Sequence, residues 1–301
     1  MNKTSIVNEV IEDLEYWRRH FVNPEQFLKK KFQVRMGYPL NLENPKTFNE
    51  KLQWLKLHDH NPDYTTMVDK FAVKKYVADR IGEQYIIPTL GVWDRFEDID
   101  FDKLPNQFVL KCTHDSGGLA ICKDKSKFDF QAAKRKIKRS LRTNYYYGGF
   151  EWPYKNVPPR IIAEKYMVDE SGYELKDYKF FCFEGEVKFF KIDFDRAIEH
   201  HANYYNIDGD LLPFGETACP PKPERTLSMP LNQKKMILFA EQFSKGIPFL
   251  RVDFYEIEGE LYFGELTFLP ASGFGRLVPE EWDYKLGEWI KLPGDVTEEK
   301  V

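Results

Sequence analysis

Leu250-Arg251-Val252-Asp253-Phe254-Tyr255 and Tyr262-Phe263-Gly264-Glu265-Leu266-Thr267-Phe268 are strand-like runs separated by Glu258-Gly259-Glu260, and they constrain this chain more than any other segment. A glycine-centred turn between two such runs reads as a β-hairpin. A three-residue loop over 258–260 sets Asp253 opposite Glu265 and Arg251 opposite Thr267. The other face then pairs Val252 with Leu266 and Leu250 with Phe268, so one face is apolar and the other chemical. Like charges directly opposite on a sheet repel. Acid against acid therefore demands a cation, and hard oxygen donors suit Mg²⁺ or Mn²⁺. The competing reading is a solvated edge hairpin that binds nothing.

A chain of 301 residues that is 42% hydrophobic has enough apolar material for a substantial core in two or three lobes. Its net charge of -4 gives no global electrostatic case for a nucleic-acid partner. One local run departs from that balance, Lys134-Arg135-Lys136-Ile137-Lys138-Arg139. It reads as a solvated helix face, with an anionic ligand, lipid surface or polyanionic substrate as the alternative. Cys112, Cys122, Cys182 and Cys219 lack paired metal-ligand spacing and are too few for a disulfide scaffold. With no apolar leader and no apolar run of about 18 residues, the expectation is a cytoplasmic protein with reduced thiols and at most peripheral membrane contact.

Ile11, Leu14 and Tyr16-Trp17 recur at helical spacing, and Thr47-Phe48-Asn49-Glu50 has the form of a capping box. One further helix is expected from about Asp63 to Ile81, with Gly82 as its stop and Lys70 projecting beside Asp69. Strand signals follow at Ile86-Ile87-Pro88, Phe108 to Lys111 and Leu119 to Cys122, then a basic helix from about Phe128 to Arg142. Runs at Arg160–Met167, Tyr178–Phe183 and Val187–Phe190 imply a largely antiparallel sheet, joined by helices near 231–245 and 282–290. The fold class is α+β.

Between Lys111 and Leu119 lies Cys112-Thr113-His114-Asp115-Ser116-Gly117-Gly118, whose glycines let backbone N–H groups approach a ligand. It has neither a P-loop ending nor a dinucleotide fingerprint, and a plain hairpin turn is an equal reading. The order of the pieces is more specific than any one of them. Asp69-Lys70, Lys111 before Ser116-Gly117-Gly118, Glu164-Lys165-Tyr166-Met167, and Arg251-Val252-Asp253 with Glu265 together resemble the ATP-grasp ligases. Phe48-Asn49-Glu50-Lys51-Leu52-Gln53-Trp54-Leu55-Lys56, Lys111 to Gly118 and Gly264-Glu265-Leu266-Thr267-Phe268 resemble its TupA-like branch, found among bacterial surface-polysaccharide genes. The resemblance covers roughly residues 45 to 290.

That resemblance implies two α+β lobes clasping ATP: a helical N-terminal segment over 1–65, a lid lobe over 66–163 and a C-terminal lobe over 164–301 carrying the hairpin. It implies that Glu164 meets the adenine amino group, that the backbone of Lys165 and Met167 reads the base edge, and that Asp177 holds the ribose. Ile162 and Phe180 would pack around the base. Lys70 and Lys111 would reach the phosphates under the loop carrying His114, Ser116, Gly117 and Gly118, with Lys179 and Lys191 as further basic candidates. Asp253, Glu265 and Thr267 would ligate Mg²⁺ or Mn²⁺, and Arg251 would stabilise a phosphorylated intermediate. Thr267 departs from the family, which places Asn there, and the usual Rossmann-like leading domain is not evident. The implied reaction joins a carboxylate to an amine, with a uronic acid of a sugar or polysaccharide as acceptor and an amino acid or amino alcohol as donor. A glycosyltransferase and a non-catalytic nucleotide-binding protein remain as alternatives.

Other constellations carry less. His200-His201 reads as a coincidental pair, because neighbouring strand residues face opposite ways. Tyr145-Tyr146-Tyr147 and Trp152 are candidates to stack on sugar rings, with core packing as the competing reading. Glycoside hydrolysis by the acid pair is disfavoured, since directly opposed acids leave no room for a sugar.

Overall fold

The computed structural model describes residues 16–294, apart from 170, 171, 173, 174, 197 and 226. Ile11, Leu14, Ser171 and Tyr173 lie outside the described residues. Helix α1, Pro24–Met36, opens on an Asn23 cap and stops at Gly37, whose φ of 91° suits a glycine. Thr47 and Glu50 form the expected capping box at the start of α2, Phe48–His58. Helices α3, Asp63–Val68, and α4, Ala72–Ile81, replace the single helix expected there. The break has a clear cause: the buried Asp69 carboxylate accepts the N–H groups of Phe71 and Ala72 and so starts a new helix. Lys70 therefore sits in the break rather than on a helical face, its N–H donated to the Thr113 carbonyl at 3.1 Å.

The smaller sheet has the order β1-β4-β2-β3, with β1 Thr89–Trp93, β2 Phe108–Cys112, β3 Leu119–Cys122 and β4 Ile161–Lys165. Ile86-Ile87-Pro88 is not a strand: pairing begins only after Pro88, which has no N–H to donate. Helix α5, Phe130–Leu141, starts on an Asp129 cap and lays Ala133 and Ile137 against Phe108, Leu110, Cys112, Ile161 and Ala163. Alternation then turns Val109, Lys111, Ile162 and Glu164 to the opposite face.

The larger sheet runs β10-β9-β5-β6-β7, from β5 Asp177–Phe183, β6 Glu186–Phe194, β7 His201–Tyr205, β9 Phe249–Ile257 and β10 Glu260–Thr267; a short β8, Gly215–Glu216, pairs with β11, Leu277–Val278. All its ladders are antiparallel. Two of its hairpins turn on the same dipeptide, Glu184-Gly185 and Glu258-Gly259, each with both residues at positive φ, the signature of a type I′ turn. Helices α6, Gln233–Ser244, and α7, Glu281–Trp289, complete the fold. The main core joins this sheet to α2, α3 and α4, so Met67, Val68, Val73 and Val77 pack with the larger sheet and not with the smaller one. No described helix is long and apolar enough to cross a membrane.

Candidate active site

The hairpin pairs its residues as the sequence suggests, by a different route. The turn is only two residues long, so Ile257 pairs with Glu260 and Phe254 with Phe263. A β-bulge at Gly264 then slips the register by one, and Asp253 meets Glu265, Val252 meets Leu266 and Arg251 meets Thr267. Only glycine fits the bulge: a Cβ there would lie 2.9 Å from the Asp253 carbonyl oxygen.

On the chemical face Arg251 holds Asp253 with two bonds, Nε to Oδ1 at 2.6 Å and Nη2 to Oδ2 at 2.7 Å, and reaches Glu265 Oε1 at 2.8 Å and Thr267 Oγ1 at 3.0 Å. Asp253 is 1% exposed, whereas the Glu265 side chain is 50% exposed, so the pair runs from the sheet interior to its surface. Burial pushes the Asp253 carboxyl up to about 6, against the pull of Arg251 and Lys179. Burial also works to raise Glu265, but Arg251, Lys179 and Lys70 outweigh it and hold Glu265 below its ordinary value.

The acid pair is one end of a charged row. Successive ladders align Glu265, Asp253, Lys179, Lys191 and Tyr204 across all five strands. Lys179 lies 2.7 Å from Asp193, 3.6 Å from Asp177 and 3.9 Å from Asp253. Arg196 also pairs with Asp177 and Asp193. Asp193, His200 and Cys219 offer donor atoms within 4.8 Å of one another, but the Lys191 ammonium lies 3.8 Å from Asp193 and 3.9 Å from the thiol. That neighbouring cation argues against a metal ion there. His200 and His201 diverge as alternation requires, His200 to Asp193 at 2.7 Å and His201 to the Pro220 carbonyl at 2.9 Å.

A cleft separates this row from the smaller sheet. Lys70, Lys74, Lys111 and Glu164 line one side, Tyr255, Phe263, Gly264 and Glu265 the other, with Ile86, Ile87 and Tyr154 beside them. Glu164, with its side chain 7% exposed, accepts Lys74 at 2.5 Å and Lys111 at 2.6 Å. Burial alone would raise its pKa, but the two ammonium groups dominate and lower it. Burial lowers the pKa of Lys70, whose ammonium donates to the Asp115 carbonyl. The enclosed void is about 60 Å³, well below the ~300–1,000 Å³ of an ordinary ligand pocket. As it stands the cleft has no room for a nucleotide.

The glycine loop is tightly tied. The Gly118 N–H donates to the Asp115 carboxylate, which also accepts the Ser140 hydroxyl. A Cβ on Gly118 would lie 2.4 Å from Ser140 Oγ, so this glycine serves loop-to-helix packing; Gly117 and Ser116 are exposed. His114 is buried, with Nε2 3.1 Å from both the Ser140 and Thr143 carbonyls. Lys165, at the end of β4, gives its N–H to the Pro88 carbonyl at 3.0 Å, and Met167 follows in the next segment, partly exposed. Asp177 is buried at the start of β5 with Lys179 and Arg196. Ile162 and Phe180 are fully buried. Tyr147 packs at a tilt against His20 and Trp152 stacks on His60, while Tyr145 meets Tyr154 edge-on.

Sequence reasoning missed Lys74, Tyr154 and Tyr255. Tyr255 was within reach, since Arg251, Asp253 and Tyr255 alternate onto one face. Lys74 was not, because its direction depends on the helix break at Asp69.

A buttress for the site was hidden in the α2 motif. Gln53 Nε2 donates to the carbonyls of Gly273 at 2.6 Å and Ser272 at 3.2 Å; Lys56 donates to the Ser272 carbonyl at 2.8 Å; Asn49 Nδ2 donates to the Gly275 carbonyl at 2.9 Å. These groups hold a turn directly after β10 in which Ala271, Ser272 and Gly273 all have positive φ, a conformation costly for Ala271 and Ser272.

No curated protein matches the chain. Solved structures similar to it include D-alanine–D-alanine ligase from Bacillus anthracis complexed with ATP, at 18% identity and a TM-score of 0.38, covering 68% of this chain and 54% of that one. Another is N5-carboxyaminoimidazole synthetase from Staphylococcus aureus complexed with ADP, at 14% identity and a TM-score of 0.43, covering 74% and 52%. The chain thus spans about half the length of these proteins. A family model described as TupA-like ATPgrasp matches residues 50–291, and the chain belongs to the TupA-like ATP-grasp family.

Proposed function

We propose that this protein is an ATP- and Mg²⁺-dependent ligase that joins a carboxylate to an amine through an acyl phosphate. The observation that carries the reading is the meeting of Lys70, Lys74, Lys111 and Glu164 with Glu265 and Tyr255 in one cleft between two sheets. Lys70 and Lys111 bind the triphosphate, and Glu164 fixes the position of Lys111 from behind. Lys165 and Met167 border the base, with the Ile86-Ile87 wall of the cleft beside it. Asp177 is the candidate ribose acid and Lys179 keeps the sheet end of the site cationic.

Asp253, Glu265 and Thr267 are hard oxygen donors of the kind that Mg²⁺ or Mn²⁺ takes, set on one face of one hairpin; the Arg251 guanidinium now meets all three, so an ion held there would take its place at these oxygens. A divalent ion held by these residues would neutralise charge on the phosphate oxygens. A carboxylate oxygen attacks the γ-phosphorus and ADP leaves; the amine then attacks the acyl carbon, phosphate leaves, and the nitrogen loses a proton. Arg251, the guanidinium nearest the acid pair, stabilises the anionic acyl phosphate. Closure of the two sheets excludes water, which would otherwise hydrolyse that intermediate.

For the acceptor we propose a uronic acid of a bacterial surface or capsular polysaccharide, and for the donor an amino acid or amino alcohol; the family context supports both. Purified protein given Mg²⁺, ATP, galacturonic or glucuronic acid and a pool of amines is expected to release ADP only when both substrates are present. Release of UDP from a sugar nucleotide, with no ADP, would sink the ligase reading.

A further inference from the structure

The cleft leaves two basic segments unexplained. Residues 16–36 carry six Lys and Arg side chains against one Glu, and residues 130–142 carry six against no acid, in a chain whose net charge is -4. The two are neighbours in space. The Asn144 N–H, just past α5, donates to the Tyr16 hydroxyl at 2.8 Å; the Tyr147 and His20 rings pack at a tilt with centroids 3.7 Å apart; Lys31 donates to the Gly148 carbonyl at 3.0 Å.

Acids answer part of this charge. Glu97 takes Lys134 at 3.1 Å and Lys138 at 2.9 Å, and Glu25 takes Lys29 at 2.6 Å. Arg18, Lys30, Arg35, Arg135, Lys136 and Arg142 remain at the exposed surface. Among them stand large apolar side chains: Phe21 is 90% exposed, Val34 82% and Trp17 59%. A polyanion meets the cations and its rings can stack on Trp17 or Phe21, but it offers no partner for the exposed aliphatic Val34. A bilayer with anionic headgroups takes both, cations at the phosphate level and apolar or aromatic side chains at the acyl boundary.

We propose that the surface formed by residues 16–36 and the exposed side of α5 docks this protein on an anionic lipid bilayer. The docking is peripheral.

The test is co-sedimentation of the full chain with vesicles of phosphatidylglycerol and phosphatidylcholine, against vesicles of phosphatidylcholine alone. Binding at least tenfold tighter to the anionic vesicles, weakened by salt, is expected. Phe21→Glu combined with Val34→Glu should weaken that binding at least tenfold while the melting temperature stays at the wild-type value. Arg135→Glu combined with Arg142→Glu should weaken it and flatten the salt dependence. No binding to anionic vesicles overturns the proposal. So does a Phe21→Glu, Val34→Glu protein that binds as wild type while charge reversal abolishes binding, the signature of a polyanion site.

Discussion

Asp253 and Glu265 face each other across β9 and β10 because Gly264 bulges out of the ladder one residue before the pair. Without that bulge the two-residue turn would place Glu265 opposite Val252 instead, and the acids would point to opposite faces. The metal end of the site thus depends on a residue with no side chain.

Gly264→Ala should therefore damage the site without touching any ligand. The added methyl would sit 2.9 Å from the Asp253 carbonyl oxygen and 3.2 Å from the Tyr255 ring. Overpacking of this kind costs about 1–3 kcal/mol. Urea unfolding should show that loss, and substrate-dependent ADP release should fall with it. A variant as stable and active as wild type would remove the bulge from the account.

The buttress at Gln53 makes a separate prediction. Gln53→Ala removes two bonds to a turn held at positive φ, taking the side-chain donor from the Gly273 carbonyl and leaving the Ser272 carbonyl with Lys56. About 1–3 kcal/mol of stability should be lost. Because the turn follows β10 directly, kcat should drop more than the KM for ATP rises. A purely structural role would lower the melting temperature and leave kcat per folded molecule unchanged.

Much of this was legible in the sequence, and the misses have causes. The strands, their antiparallel order and the Asp253–Glu265 pairing follow from alternation, though the pairing is reached through two offsetting features, a shorter turn and a bulge. Glu258 in left-handed backbone is what the pattern could not announce, since Asn or Asp more often fills that position. The α3–α4 break follows from Asp69 turning its carboxylate to backbone N–H groups, a choice that periodicity does not register. The α2 motif reads as an amphipathic helix, but its polar side chains Asn49, Gln53 and Lys56 are buried and point at the turn after β10. Only long-range contacts reveal that purpose.

Glu164 gives a kinetic prediction. Its carboxylate joins Lys74 and Lys111, and Glu164→Ala leaves two ammonium groups near each other with no counter-charge. The KM for ATP should rise about tenfold or more, roughly 1.4 kcal/mol or above, while kcat changes little. Initial-rate measurements over a range of ATP concentrations check it, and an unchanged KM counts against Lys111 as a phosphate ligand.

Asp283 carries a pH signature independent of catalysis. Burial pushes its carboxyl up from an ordinary 3.8 to about 6, against hydrogen bonds from the Asn49 backbone and side chain. The folded state thus binds more protons than the unfolded one between those values. This group's contribution to stability falls as pH rises from about 4 to 6 and is level above. Asp283→Asn keeps an acceptor for Asn49 and removes the titration, so the variant should gain on wild type across that window, by at most about 3 kcal/mol. Urea midpoints for both proteins at pH 4.5 and 7.5 test this, and a constant difference between them contradicts it.

The central claim is that the Asp253–Glu265 hairpin is the metal end of an ATP site. The most direct test is electron paramagnetic resonance of Mn²⁺ titrated into the protein with a non-hydrolysable ATP analogue, for wild type and Glu265→Gln. The account predicts analogue-dependent Mn²⁺ binding to the wild type and a loss of at least tenfold in the variant, with its melting temperature retained. Equal Mn²⁺ affinity in the two proteins, or none in the wild type, would contradict it.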